Sequence, residues 1–223
     1  MNKPTFLMRP HTATAVVLTL LSGLLIASGL KAGNGEHENE EAMVRRGFQI
    51  SPVPLNIAGR NRDLVGLGSY LVNAQMSCND CHSAGPATQY IAGGNPFFGQ
   101  HPAKTNPATF MGGGRNFGPL IPNTPDIVSR NLTPDKTGKS GGDEFAKFVF
   151  IMRTGTDTGH RHPPCSSTVT TGCLPAPFDG DLLQIMPWPN FQQATNRDLL
   201  AIYEYLSAIP CVQGPGDPDN RCR

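Results

Sequence analysis

Residues 78–82 read Cys78-Asn79-Asp80-Cys81-His82, a C-x-x-C-H run. On one helical turn, Cys78 and Cys81 stand at i and i+3 and His82 at i+4, all on one face. Two thiols so placed can each form a thioether to a haem vinyl group, and the imidazole can rise to the iron as proximal ligand. The run therefore points to covalent attachment of one c-type haem. A structural zinc would need a second ligand pair at close spacing, and Cys165, Cys173, Cys211 and Cys222 supply no further C-x-x-C. A thioredoxin-type dithiol would follow a strand in a βαβ pattern. Here Leu64, Leu67, Tyr70 and Leu71 lie at helical spacing instead, predicting a helix over Asp63–Ala74 that leads into the motif.

Downstream of the motif, residues 83–125 contain eight glycines and seven prolines in forty-three positions. No helix or strand of usual length survives that density. The spread of Phe97, Phe98, Phe110 and Phe117 predicts an ordered wrap with apolar contacts to the haem. Gly112-Gly113-Gly114 lacks the G-K-[ST] ending of a phosphate loop. A second helix is expected over Asp143–Arg153, with acidic residues in its first turn and Gly155 at its end. A third starts after Thr195, where Thr195-Asn196-Arg197-Asp198 resembles a capping box with Asp in place of Glu. Its apolar residues run from Leu199 to Ile209, and Pro210 stops it. No convincing strand pair and no internal repeat is visible.

At the other end, Lys3, Arg9 and His11 precede nineteen uncharged residues, Thr12 to Leu30. This segment, residues 1–32, reads as a secretory signal peptide or an N-terminal membrane anchor. Either reading puts the chain in the periplasm, free after cleavage or anchored to the inner membrane by residues 12–30. Residues 33–60 read as a linker, with a Glu36–Glu41 acidic cluster and Ser51-Pro52-Val53-Pro54, and 61–223 as a single domain. The formal charge is +1; residues 1–32 hold three bases and no acid, leaving fifteen bases against seventeen acids, or −2. That balance gives no footprint for nucleic acid. In an oxidising compartment the four cysteines outside the motif suggest two disulfides. Of the three pairings open to them, Cys165–Cys173 and Cys211–Cys222 are expected, because each closes a short Pro/Gly-rich loop.

An electron-carrying iron needs a sixth ligand. Met186 is the leading candidate, in Gln184-Ile185-Met186-Pro187-Trp188-Pro189-Asn190-Phe191. Pro187 and Pro189 fix their own φ and bias their predecessors toward extended backbone, so the loop can hold a thioether stiffly. A thioether stabilises Fe(II) relative to Fe(III). The alternatives are an ordinary packing role for Met186, or ligation by His160, His162, Met152 or Met111. His160-Arg161-His162, two histidines at i and i+2 without an acidic neighbour in sequence, reads as surface rather than as a metal site.

Gly68-Ser69-Tyr70-Leu71-Val72-Asn73 leading into Cys78–His82, Asn131-Leu132-Thr133-Pro134-Asp135, Met186-Pro187-Trp188-Pro189-Asn190-Phe191 and Ala201-Ile202-Tyr203-Glu204-Tyr205-Leu206 together resemble the class I c-type cytochrome family. They look most like the cytochrome c domains in subunits of periplasmic, alcohol-type dehydrogenases, over roughly residues 63–210. The resemblance implies an all-α class I cytochrome c fold, with about three core helices around one covalent haem c and long Gly/Pro-rich loops. It implies Cys78 and Cys81 as haem-binding cysteines, and His82 and Met186 as axial iron ligands. It also implies that the first and last helices cross, with Gly66 and Tyr70 near Tyr203 and Leu206. A single-haem carrier follows, taking electrons from a periplasmic dehydrogenase and passing them to an oxidase or another cytochrome. The alternatives are a haem subunit of a membrane-associated dehydrogenase or oxidase complex, and a haem enzyme or sensor with an open distal site. The chain departs from the pattern in having one C-x-x-C-H where multi-haem subunits carry three. Arg130 stands where relatives often have proline, and the two cysteine-bounded segments are additions.

Overall fold

This computed structural model describes residues 39–215, 217 and 220–223. The expected signal peptide or anchor, residues 1–32, lies outside them. Among the described residues no helix is long and apolar enough to cross a membrane. The chain divides after Ala42 into two compact units; the helical core and the C-x-x-C-H turn both belong to the second, Met43–Arg223. Residues 39–50, expected as part of a linker, are helical (α1). Met43, Val44, Phe48, Leu55 and Ile57 pack on the core, so the globular unit takes in residues ahead of position 61. The acidic cluster conceals an apolar stripe one turn further on.

Helix α2 spans Arg62–Tyr70. The Asn61 side chain caps it by accepting from the backbone N–H groups of Asp63 and Leu64, at 3.0 and 3.2 Å. A π-helical turn, Leu71–Gln75, prolongs it, and a one-turn helix α3, Cys78–Cys81, comes next. Toward the far end of the chain, α6 spans Asn196–Ala208 behind a complete capping box: Thr195 Oγ1 accepts from Asp198 N–H, and Asp198 accepts from Thr195 N–H. Helices α2 and α6 pack together as the main helical contact. The core between and around them holds Val65, Leu67, Val72, Phe110, Ile202 and Leu206, all nearly or fully buried. Burying each such side chain stabilises the fold by about 1.5–3 kcal/mol relative to leaving it in water.

Two glycines let α2 lie between two neighbours. A Cβ on Gly66 would come within 2.7 Å of Phe48 and Val44 of α1. A Cβ on Gly68 would overlap the Ala201 carbonyl of α6 and crowd Tyr205. The expected crossing of the first and last helices is therefore made by Gly68 against Ala201 and Tyr205, while Gly66 serves the α1 side. Tyr205 is fully buried, and its hydroxyl accepts from Asn73 Nδ2 at 3.0 Å.

Helix α4, Phe145–Thr154, ends at Gly155 in the left-handed conformation that favours glycine. Its Phe145 and Phe148 rings lie 5.3 and 5.6 Å from that of Tyr203. A further short helix, α5, covers Trp188–Phe191. The strands β1, Asn116–Pro119, and β2, Asp126–Val128, form an irregular antiparallel pair with Asn116 opposite Val128 and Pro119 opposite Asp126. The expectation of an all-α class I cytochrome c fold is thus corrected: helix accounts for 33% and strand for 8%, in six short helices and a two-stranded sheet among the described residues. The physical reason lies in the stretches 83–142 and 155–187. Their prolines remove backbone donors and their glycines turn the chain through positive φ, so backbone groups pair in turns, isolated bridges and one hairpin. Of the four phenylalanines in the first stretch, Phe110 is core, Phe97 and Phe98 are 80% and 77% exposed, and Phe117 lies under the Arg115 guanidinium.

Candidate haem-attachment site

The motif is delivered by the end of α2. The Met76 N–H closes the π turn on the Leu71 carbonyl at 2.8 Å, and Ser77 then takes a left-handed conformation, φ 48°. That reversal starts the new turn. Asp80 N–H donates to Ser77 O and His82 N–H to Cys78 O, each at 2.9 Å. Cys78, Cys81 and His82 consequently share one face of one turn, as their spacing predicts. Asn79, inside the motif, faces inward, and its Oδ1 accepts from Met111 N–H at 3.1 Å. Met111 is itself fully buried with φ 58°. Gly113 N–H donates to the His82 carbonyl at 2.9 Å.

The imidazole is oriented by one bond. His82 Nδ1 lies 2.7 Å from the carbonyl oxygen of Arg130. A carbonyl can only accept, so Nδ1 carries the proton and the Nε2 lone pair is left for a metal. Burial pushes the His82 pKa below its ordinary value; the Arg130 carbonyl works against this, and the Arg130 charge works with it. A neutral imidazole with Nδ1 anchored is the ligating form. Burial also pushes the Cys78 thiol up to about 12, which makes it a poor thiolate at neutral pH.

The remaining cysteines are used elsewhere. Cys165–Cys173 and Cys211–Cys222 are disulfides, while Cys78 and Cys81 are free. Cysteine pairing thus leaves two thiols at i and i+3, with an imidazole beside them and no second cysteine pair for a zinc. Next to His82, the buried Ser83 hydroxyl lacks a hydrogen-bond partner among the described residues. This donor set fits a covalently held haem: two thiols for the vinyl carbons and one nitrogen for the iron. No group of three or more His, Cys, Asp or Glu side chains is placed to hold a metal ion among the described residues.

Met186 is half-buried on a different segment. That segment is pinned to the end of α4. Thr156 and Leu182 form an antiparallel bridge, and Leu183 N–H donates to Gly155 O at 2.7 Å. Trp188 covers the Gly155 backbone so closely that a Cβ there would overlap its indole ring; its Nε1–H donates to Leu183 O at 3.2 Å. Met111 and Met152, by contrast, are buried in packing, and His160 is exposed.

Three residues around the motif escape sequence reasoning: Asn79, Gly113 and Asp157. Asn79 and Gly113 act through single bonds to distant backbone, which no spacing rule signals. Asp157 pairs with the Arg130 guanidinium, part-buried, a contact that no local pattern announces.

No family model matches the chain. The chain is similar to the gluconate 2-dehydrogenase cytochrome c subunit of Pantoea cypripedii, with 28% identity over 162 residues, covering 71% of this chain and 26% of that relative. It thus spans about a quarter of the length of the curated relative it matches. The similarity is distant and supports a cytochrome c-type relationship at a coarse level.

Proposed function

We propose that this chain is an exported single-haem electron-transfer protein that works with a dehydrogenase. The observation that carries the reading is the Cys78–His82 turn, where two unpaired thiols and an imidazole with an anchored Nδ1 share one face. When bound there, a haem supplies one-electron exchange between Fe(II) and Fe(III). The work of the chain itself is positional. Cys78 and Cys81 tether the group, and His82 offers Nε2 in an orientation set by the Arg130 carbonyl. Met186, stiffened by Pro187 and by the bonds of Leu183 and Trp188, is proposed as the second axial ligand. The dehydrogenase partner is inferred from the relative, a dehydrogenase's cytochrome subunit; residues 1–32 are proposed to direct export to the periplasm.

The test is expression of the full chain in a host with working cytochrome maturation machinery. Haem should survive denaturing electrophoresis, and the pyridine haemochrome should be of the two-thioether class. Cys78→Ala or Cys81→Ala should convert it to the one-thioether class. A colourless product with both thiols open to alkylation after denaturation would refute the reading.

A further inference from the structure

The two candidate axial ligands lie on segments far apart in sequence, and one residue reaches toward both. Arg130 accepts from His82 Nδ1 through its carbonyl oxygen and pairs with Asp157 through its guanidinium. Asp157 stands two residues beyond Gly155, and its N–H donates to the Asp181 carbonyl at 2.7 Å. Thr156 bridges Leu182, and Leu183 N–H bonds to Gly155 O. From Leu183 the chain runs three residues to Met186.

We propose that the Arg130–Asp157 ion pair is a strut between the His82 side of the site and the segment that carries Met186, so that these two residues position Met186 relative to His82. This rests on the function proposed above. The Arg130 backbone is held independently of its side chain. Gly113 approaches it so closely that a Cβ would overlap the Arg130 carbonyl carbon. Leu132 N–H donates to Met111 O, and Gly114 N–H to Ser129 O. On the other side, Asp157 Oδ1 also accepts from the backbone N–H groups of Gly159 and His160, at 3.0 and 2.8 Å, which fixes the carboxylate as an anchor. The Asp157 side chain is 13% exposed and that of Arg130 32%, so water competes weakly at the carboxylate end. Opening the pair leaves His82 its carbonyl partner but frees the Thr156–Met186 segment to move away.

The experiment uses the full haem-loaded chain with Asp157→Asn, which keeps the Oδ1 acceptor and removes the charge. Arg130→Gln removes the other charge, Arg130→Lys is the conservative rescue, and Met186→Ala is the open-site reference. Carbon monoxide binding to the reduced protein at neutral pH reads Met186 release, and hydrogen exchange at the Leu183 amide reads the segment without reference to haem. Asp157→Asn and Arg130→Gln should each raise both by about tenfold over wild type, as expected for loss of one charge-assisted hydrogen bond, while Arg130→Lys should stay near wild type. The strut is overturned if haem is attached and Met186→Ala opens the iron, yet both variants match wild type in both readouts. If wild type binds carbon monoxide as readily as Met186→Ala, the Met186 assignment fails and the strut falls with it; a colourless wild type defeats the haem reading itself.

Discussion

At the α2–α6 crossing, position is set by shape: Gly68 brings a helix backbone against the Ala201 carbonyl, and apolar side chains close round the contact. Across residues 83–142 and 155–187, outside Phe110 and Met111, which join the core, position is set chiefly by directed bonds: bridges, side-chain-capped turns, an ion pair and a disulfide. The first kind of order tolerates no added volume but is indifferent to charge and redox state. The second tolerates small changes of volume and depends on particular donors and acceptors. Both axial-ligand candidates sit beyond the scaffold, so a rigid core is used to carry a bond-defined site.

That contrast can be broken in several places. Gly68→Ala should have the largest effect, destabilising by about 3 kcal/mol because the added methyl overlaps a backbone carbonyl that cannot rotate away; urea unfolding measures it, and near-wild-type stability would mean that the crossing yields to added volume. Replacing Cys211 and Cys222 by serine should cost about 2–3 kcal/mol. The damage should concentrate where the tail binds, at Asn131 Nδ2 to Val212 O (2.8 Å) and Arg221 to Thr133 O (2.7 Å). Hydrogen exchange should accelerate there while α2 and α6 stay protected; uniform loss of protection would erase the distinction between the two regions. Thr195→Ala should cost about 1 kcal/mol by removing half of the capping box, again by denaturant titration.

The smallest effect is the most discriminating. Burial alone would raise the Asp157 carboxyl, but the His160 N–H, the Arg130 charge and the Gly159 N–H together hold it below its ordinary value of 3.8. A depressed folded pKa contributes stability that is complete above the unfolded value and is lost as pH falls through the folded one. Asp157→Asn should therefore be less stable than wild type at neutral pH, with the gap closing as pH drops below about 3.8. The groups facing this carboxylate are Arg130 and the backbone of Gly159 and His160, while Arg161 Nε donates to the Asp157 carbonyl. A gap that persists at low pH would assign the loss to packing rather than to the ion pair.

Helices are the legible part. The apolar spacing of Leu64–Leu71 and Leu199–Ile209, the Thr195 capping box and the Gly155 stop all reappear in the structure, because such signals act within four residues. The two disulfides also form as loop length suggests. The β1–β2 hairpin and the helix over 39–50 are illegible by the same reasoning: the hairpin is too short and proline-rich for an alternating pattern, and the acidic start of 39–50 masks Val44 and Phe48. Within the site, the arrangement of Cys78, Cys81 and His82 can be read from spacing, since one helical turn dictates which side chains share a face.

What the sequence by itself determined is local: that helices form near α2 and α6, where α6 caps and stops, and that two thiols and an imidazole share one turn. What only the tertiary structure decided is which distant backbone meets them. The Arg130 carbonyl on His82, Asn79 on Met111 and Asp157 on Arg130 are each single contacts between segments dozens of residues apart. Such contacts leave no period in the sequence, because their geometry is set by how the whole chain closes on its core.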